Sequence, residues 1–408
     1  MSGVKRSIYL KFLKHPSLVS GVILKSLRWR DGNVWENHQN TQVYVVPAQV
    51  FAEIRKELRA TVGAKVASSI LYTFNQASAD SIVRDAEAMG FNPEQRLRYF
   101  LAVMALFGWG FAISNLDPET GEGELVLRDF PRDELAEERE PEPVHDDFRG
   151  ILARALHLCY GTHHDVREVD CCESVDDPRT CRFVVSATTT PPRELERRAC
   201  VEPLPEVDAG SIPKDPEFRN FRKRLKMAEN GVLVLGPGAP EAEPAPETTE
   251  ERVVIKDVLS INAMFAQAAD LLGWATVGPV VFRVGRNYAL NAVSGRSSVD
   301  EGDVDAYLRK FTLCGWGNFS AAPKEGSAPR QWVVTLENSA FCAGLPSTTG
   351  EPVDYLVRGL LAGLYEAATG TRVVVRETAC AATATGGLGR AGEGEGGRRC
   401  EFSVRPLA

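Results

Sequence analysis

Histidine is scarce in this chain: six occur among 408 residues, and none lies beyond His164. The sequence also lacks a Walker-type phosphate loop, a nucleophile elbow and a dinucleotide glycine fingerprint, so nucleotide-driven, serine-hydrolase and nicotinamide chemistries are without their usual signatures. No uninterrupted apolar run approaches the length of a membrane span. The short stretch Leu18–Leu24 has no small-residue cleavage pattern after it, which argues against a secretory signal. Nine cysteines are odd in number and sparse for the length, so a disulfide framework is a poor account; metal ligation in a reducing cytoplasm is a better one. A formal charge of −8 is mild for this length, and the chain as a whole offers no nucleic-acid footprint.

What is present is a repeat. Gly161-Thr162-His163-His164-Asp165-Val166-Arg167-Glu168-Val169-Asp170-Cys171 leads to Cys181-Arg182-Phe183-Val184-Val185, and Gly370-Thr371-Arg372-Val373-Val374-Val375-Arg376-Glu377-Thr378-Ala379-Cys380 leads to Cys400-Glu401-Phe402-Ser403-Val404. Chance does not preserve a glycine, a glutamate and two cysteines at one spacing, so the pattern indicates duplication. Upstream, Gly63 to Val83 reads against Gly273 to Val293 without a gap, Gly108-Trp109-Gly110 against Gly315-Trp316-Gly317, and Arg149-Gly150 against Arg358-Gly359. Each unit has the length of a compact domain.

The composition divides the chain into a basic extension over 1–42, a first unit over 43–187, a linker over 188–252 and a second unit over 253–408. The linker is expected to be flexible, because its proline, alanine and glutamate tract has little apolar surface to bury; Phe218 to Met227 within it is basic and can form a short helix. Residues 1–30 hold Lys5, Arg6, Lys11, Lys14, Lys25, Arg28 and Arg30 with no acidic residue, interleaved with Tyr9, Phe12 and Trp29. That reads as an arm for anionic lipid, nucleic acid or an acidic partner, or as a solvated extension.

Periodicity predicts helices over 50–60 and 258–272, then 92–104 and 303–311, and a third pair over 145–160 and 353–368 ended by Gly161 and Gly370. Strands are expected at 109–115, 124–128, 317–321 and 331–336, with the cysteine hairpin last and a mobile tip at Gly386–Gly397. The fold class is α+β: two tandem copies of an antiparallel sheet packed with helices. Glu168 and Cys171 are three apart, which on a flat strand puts them on opposite faces, so a bulge must turn one inward.

The helix with small residues Gly359-Leu360-Leu361-Ala362-Gly363, its capping glycine, then Val-x-Val-x-Glu-x-x-Cys and Cys-x-Phe-x-Val resembles the 4-vinyl reductase domain family. That family is related to the sensory domains of phenol- and xylene-responsive activators and, more distantly in fold, to trafficking-complex subunits. The resemblance covers 45–187 and 255–405, and it implies a zinc ion held by a residue at the start of the third helix, the hairpin glutamate and both hairpin cysteines. Carried over, the sets are His145, Glu168, Cys171 and Cys181, and Asp354, Glu377, Cys380 and Cys400. Imidazole is a good zinc ligand, whereas two carboxylates with two thiolates make a harder set, so zinc is expected of the first unit ahead of the second. Four protein ligands close the shell, which makes the metal structural, and no catalytic residue is assigned.

The resemblance further implies a cavity for a hydrophobic or aromatic small molecule, with Trp109 and Trp316 as candidate lining against the alternative that both are core anchors. The expected function is that of a cytoplasmic sensor or carrier whose two units form a pseudo-dimer within one chain. An enzyme or accessory factor of tetrapyrrole metabolism and a protein-interaction scaffold are the alternatives. Cysteines without a counterpart in the other unit, Cys342 among them, are read as small buried hydrophobes, and His163-His164 as a solvated turn.

Overall fold

The computed structural model describes residues 24–37, 41–74, 76–131, 145–170, 180–190, 207–227, 232–237, 250–294, 296, 298–327, 330–342, 354–380 and 399–407. The first half opens with strands β1 (Leu27–Arg30), β2 (Asn33–Glu36) and β3 (Thr41–Pro47). Helices α1 (Ala48–Val62), α2 (Ala64–Phe74), α3 (Ala77–Ala88) and α4 (Pro93–Leu106) follow, then β4 (Phe111–Leu116) and β5 (Gly123–Arg128). Helix α5 (Asp146–Tyr160) and the hairpin β6 (His163–Asp170) and β7 (Thr180–Thr188) close it. Helix α6 (Pro216–Arg224) and the short strands β8 (Leu225–Met227) and β9 (Leu233–Leu235) lead to the second half. That half comprises β10 (Glu251–Asp257), α7 (Val258–Leu272), α8 (Trp274–Val293), α9 (Glu301–Leu313), β11 (Asn318–Pro323), β12 (Trp332–Glu337), α10 (Tyr355–Thr369), β13 (Val373–Ala379) and β14 (Arg399–Pro406). This is an α+β architecture of antiparallel sheets packed against helices.

Local chemistry fixes the helix ends. Asn92 caps α4 through a reciprocal box with Gln95, and Asp300 caps α9 in the same way with Asp303, each pair satisfying backbone donors that the first helical turn leaves open. Gly161 and Gly370 stop α5 and α10 in the left-handed conformation, at φ 74° and 66°, where a side chain would be strained.

Two four-stranded sheets share one order, β4-β5-β7-β6 and β11-β12-β14-β13. A third, six-stranded sheet runs β1-β2-β3-β10-β9-β8. Its centre is the antiparallel pair β3 and β10, with Val45 opposite Ile255. The Val45 N–H donates to the Cys314 carbonyl at 2.8 Å, and the Ile255 N–H donates to the Phe107 carbonyl at 2.8 Å. Each half thus supplies a strand that hydrogen-bonds beside the Gly-Trp-Gly turn of the other, and one apolar core runs through both.

Within 188–252 the short helix expected at Phe218 to Met227 is found as α6, while the linker expectation gives way at β8 and β9, and that for the basic extension over 1–42 at β1 and β2. In both places short apolar stretches, Leu225 with Leu233 and Leu235, and Leu27 with Val34, are buried against the shared sheet. Composition averaged over a window hides such stretches among prolines and charges. The tip at Gly386–Gly397 and residues 1–23 lie outside the described residues.

The closing hairpins shift register between Glu168 and Asp170, and between Glu377 and Ala379. This is the irregularity the spacing requires: one extra residue re-aims the side chains that follow it. Glycines let the hairpin-bearing helices lie close to their neighbours. A Cβ on Gly359 would fall 1.9 Å from the Phe282 carbonyl oxygen, and one on Gly150 would fall 1.8 Å from that of Tyr72.

A candidate metal centre

In the second half, three elements converge on one buried point. The 3₁₀ turn Ala340–Cys342 follows β12 and brings Cys342; Cys380 directly follows β13, and β14 brings Cys400. Cys342 Sγ lies 3.6 Å from Cys400 Sγ and 3.9 Å from Cys380 Sγ. A tetrahedral zinc with Zn–S near 2.3 Å separates its thiolates by about 3.8 Å. Asp354, at the N-cap of α10 and fully buried, accepts from the Cys342 thiol at 3.3 Å and from the Ser339 hydroxyl at 3.0 Å. The sulfurs of Cys342, Cys380 and Cys400 lie within reach of a single ion, as do the ligand atoms of Asp354, Glu377 and Cys400.

The electrostatics of this point are unbalanced without a cation. Both carboxylate oxygens of Glu377 are shut off from solvent, and neither finds a hydrogen-bond partner of good geometry. Burial first, then the neighbouring Asp354 and Cys380, push the Glu377 carboxyl up to about 10. Burial and Cys380 likewise raise Asp354 to about 6, and the Cys342 thiol is raised by its hydrogen bonds to Cys380 and Cys400 and by burial. Acids crowded in an apolar interior resist ionising together, and an orphaned buried carboxylate is costly. A divalent cation relieves both costs, so the donor set fits a thiophilic metal such as zinc.

The first half is arranged differently. The carboxylate of Glu168 accepts the His145 backbone N–H at 3.1 Å and lies 2.7 Å from His145 Nδ1, while Cys181 Sγ sits 3.7 Å from the same nitrogen. His145, Glu168 and Cys181 are thus together and buried, and Cys171 lies outside the described residues. Here the glutamate already has partners, and Pro131 follows Phe130 where Cys342 follows Phe341 in the second half. Among the described residues, the second half therefore brings three thiols to its site and the first half one. Cys342 is the residue that sequence reasoning missed. Its signal was compensation, since the unit whose helix start carries aspartate also holds a cysteine that its twin lacks.

Trp109 and Trp316 are core residues. Trp316 is fully buried, packs against Phe311 and Phe341, and donates its Nε1–H to the Val45 carbonyl at 2.9 Å. Trp109 packs against Phe51 and Phe130 beneath the ammonium of Lys256. Neither lines the open-sided groove of about 780 Å³ between α9 and β11, whose walls include Asp303, Leu308, Arg309, Thr312, Phe319 and Ala321. His164 is buried at the start of β6, its ring nitrogens 3.1 Å from the Thr162 carbonyl and 2.8 Å from that of Thr120, rather than in a solvated turn.

Comparison with known proteins gives the following. The V4R domain family model matches residues 332–387, the stretch that holds Cys342, Asp354, Glu377 and Cys380. This is the family whose pattern the sequence resembles. Among solved structures, the chain is similar to the phenol-responsive sensory domain of the transcription activator PoxR with phenol, at 16% identity over 46% of this chain and 88% of that one, with a TM-score of 0.33. It is also similar to a vinyl-4-reductase family protein from Methanocaldococcus jannaschii, at 17% identity over 31% of this chain and 68% of that one, with a TM-score of 0.21. No curated protein matches the chain.

Proposed function

We propose that this chain is a small-molecule-binding protein of two fused V4R-type units, working in the cytoplasm as a sensor or carrier, with a structural metal ion in its second unit. The observation that carries the proposal is the cluster of Cys342, Cys380 and Cys400 beside the unpartnered Glu377 carboxylate, of which Cys342, Cys380 and Glu377 lie inside the stretch that the V4R family model matches. Cys342, Cys380 and Cys400 hold the metal, with Asp354 or Glu377 completing the shell. Zinc bound there ties the 3₁₀ turn to the closing hairpin and, with four protein ligands, leaves no position for an activated water.

The groove between α9 and β11 supports the ligand reading. Its volume falls within the usual range for small-molecule sites, and it sets the apolar Leu308, Phe319 and Ala321 beside the polar Asp303, Arg309 and Thr312. Arg309 also pairs with Glu217 of α6, so occupancy of the groove would be felt by the segment that joins the halves. A hydrophobic or aromatic ligand with one polar group is the chemistry this lining favours.

Native mass spectrometry of protein purified from its own host tests the proposal, together with elemental analysis. A retained small molecule and about one zinc per chain support it. A protein with neither, showing no thermal shift with any phenol or other hydrophobic ligand, overturns it. In the presence of a ligand, Leu308→Trp fills the groove and is expected to remove the shift.

A further inference from the structure

The fold brings together two basic segments that lie about 190 residues apart in the sequence. Strand β1 carries Arg28 and follows Lys25; α6 carries Arg219, Arg222 and Lys223. The Arg28 guanidinium donates through Nη1 to the Lys25 carbonyl at 2.8 Å and to that of Leu27 at 3.1 Å. The Arg222 guanidinium donates through Nη1 to the same two oxygens, at 3.1 Å and 3.5 Å. Two cationic groups that share two acceptors lie necessarily within about 6 Å of each other.

Among the described residues, Lys25, Arg28, Arg219, Arg222 and Lys223 form no ion pair, and Glu217 of the same helix is taken up by Arg309. Lys25, Arg219 and Lys223 are exposed. Burial, with Arg28 and Arg219 adding to it, lowers the Arg222 pKa, as expected where cations crowd without a counter-charge. Cations at the C-terminal end of α6 suit its dipole, which accounts for a basic last turn. It does not account for a second guanidinium from β1 being held against it in a protein whose formal charge is −8.

Paired guanidinium groups without a carboxylate are suited to phosphate or another polyanion. One feature favours a membrane surface over nucleic acid. The sequence leading into β1 mixes Lys5, Arg6, Lys11 and Lys14 with Tyr9, Leu10, Phe12 and Leu13 and has no acidic residue, the composition of interfacial segments that bind anionic lipid. We propose that the composite patch of Lys25, Arg28, Arg219, Arg222 and Lys223 docks the protein on an anionic membrane surface, with lipid headgroup phosphates and carboxylates as the counter-charge that the fold itself does not supply.

The test is co-sedimentation of the full chain with phosphatidylcholine vesicles that contain about a third phosphatidylserine, and with pure phosphatidylcholine vesicles, near 0.1 M and near 1 M salt. Binding is expected to the anionic vesicles at the lower salt alone. Arg28 and Arg222 also pin β1 to α6, so the variant of choice is Arg219→Glu with Lys223→Glu, two exposed positions whose side chains donate no hydrogen bond within the described residues. Each basic residue near an anionic leaflet is worth about fivefold in binding, so reversing two predicts a loss of at least about twenty-five-fold, with the circular dichroism of the fold retained and the melting temperature lowered by at most a few degrees as the end of α6 loses two cations. Equal binding to neutral vesicles, an unaffected double variant, or displacement from the vesicles by duplex DNA of equal charge concentration would each overturn the proposal. The result is independent of metal or ligand content.

Discussion

Replacing Cys342 by serine separates a metal centre from a packed cluster of thiols. Serine keeps a donor for Asp354, which the Cys342 thiol and the Ser339 hydroxyl now serve, so the change removes a soft ligand while leaving the hydrogen bond in place. Structural zinc contributes roughly 10–16 kcal/mol in small metal-folded peptides, and one ligand of four is then worth about 3 kcal/mol, or about two orders of magnitude in metal affinity. Without a metal, the same substitution keeps that hydrogen bond and is expected to cost no more than about 1 kcal/mol. At about 2–4 °C per kcal/mol, the two cases differ by several degrees in the melting transition. Elemental analysis of wild type and Cys342→Ser, with melting curves recorded before and after a chelator, reads both quantities. The expected result is about one zinc per chain in the wild type, a substoichiometric amount in the variant, and a chelator effect confined to the wild type. Equal zinc in the two proteins, or a wild type that holds no metal and ignores the chelator, refutes the reasoning.

Three further outcomes follow from particular contacts. Cys181→Ser should leave zinc content at the wild-type level, because Glu168 in the first half is already satisfied by His145; a loss of half the metal would show that both halves are loaded. Gly359→Ala places a methyl group against the Phe282 carbonyl, and overpacking of this kind should lower stability by about 1–3 kcal/mol, read as a lower urea midpoint. Lys256 is buried, and burial, opposed by Asp257 and Asp147, lowers its pKa from 10.5 to about 8. Between those values the unfolded chain holds a proton that the folded one has released, so stability rises with pH by up to about 3 kcal/mol and the burial penalty is fully present below the folded pKa. Urea unfolding of wild type against Lys256→Met at neutral and alkaline pH should show that rise in the wild type alone, and a flat difference between the two would contradict it.

The sequence was informative where one residue carries a geometric obligation. Gly161 and Gly370 mark the helix ends because a left-handed residue is needed there, and the three-residue step from Glu168 to Cys171 demands the bulge found after Glu168. Helix Val258–Leu272 was legible to the residue from its period. Strands β3 and β10 were not, because their short apolar centres, Val43 to Val46 and Val253 to Ile255, show no alternation and lead straight into the helices they precede. Helix α8, with Pro279 inside it, was obscured by its own glycines, Gly278 and Gly285. Those glycines make room for α10 at Tyr355 and Leu356. Cys342 was hidden because it was weighed against its twin position rather than against the role that Asp354 had vacated.

The exchange of strands between halves bears on how the chain can fold. Reading each unit as a compact domain with its own core predicts that 43–187 and 253–408 fold when expressed alone. The shared sheet predicts otherwise. Removing the first half leaves Val253, Val254 and Ile255 without the β3 partners they face, strips the Trp316 indole of its acceptor on Val45, and removes the Val45 N–H that the Cys314 carbonyl accepts. Val45 and Val46 on one side, and Val253, Val254 and Ile255 on the other, are at most 1% exposed in the intact protein. At about 1.5–3 kcal/mol for each apolar side chain returned to water, the loss is on the order of 10 kcal/mol across the pair, comparable to the whole net stability of a typical domain. Each half alone is therefore expected to be aggregated or loosely packed, while the two halves produced together, each with its hairpin (24–190 and 207–407), should recover native near-ultraviolet circular dichroism and co-purify. Independent folding of the isolated second half, with a sharp thermal transition and a monomeric profile in solution, would show that the exchanged strand is an accessory to each core rather than a part of it.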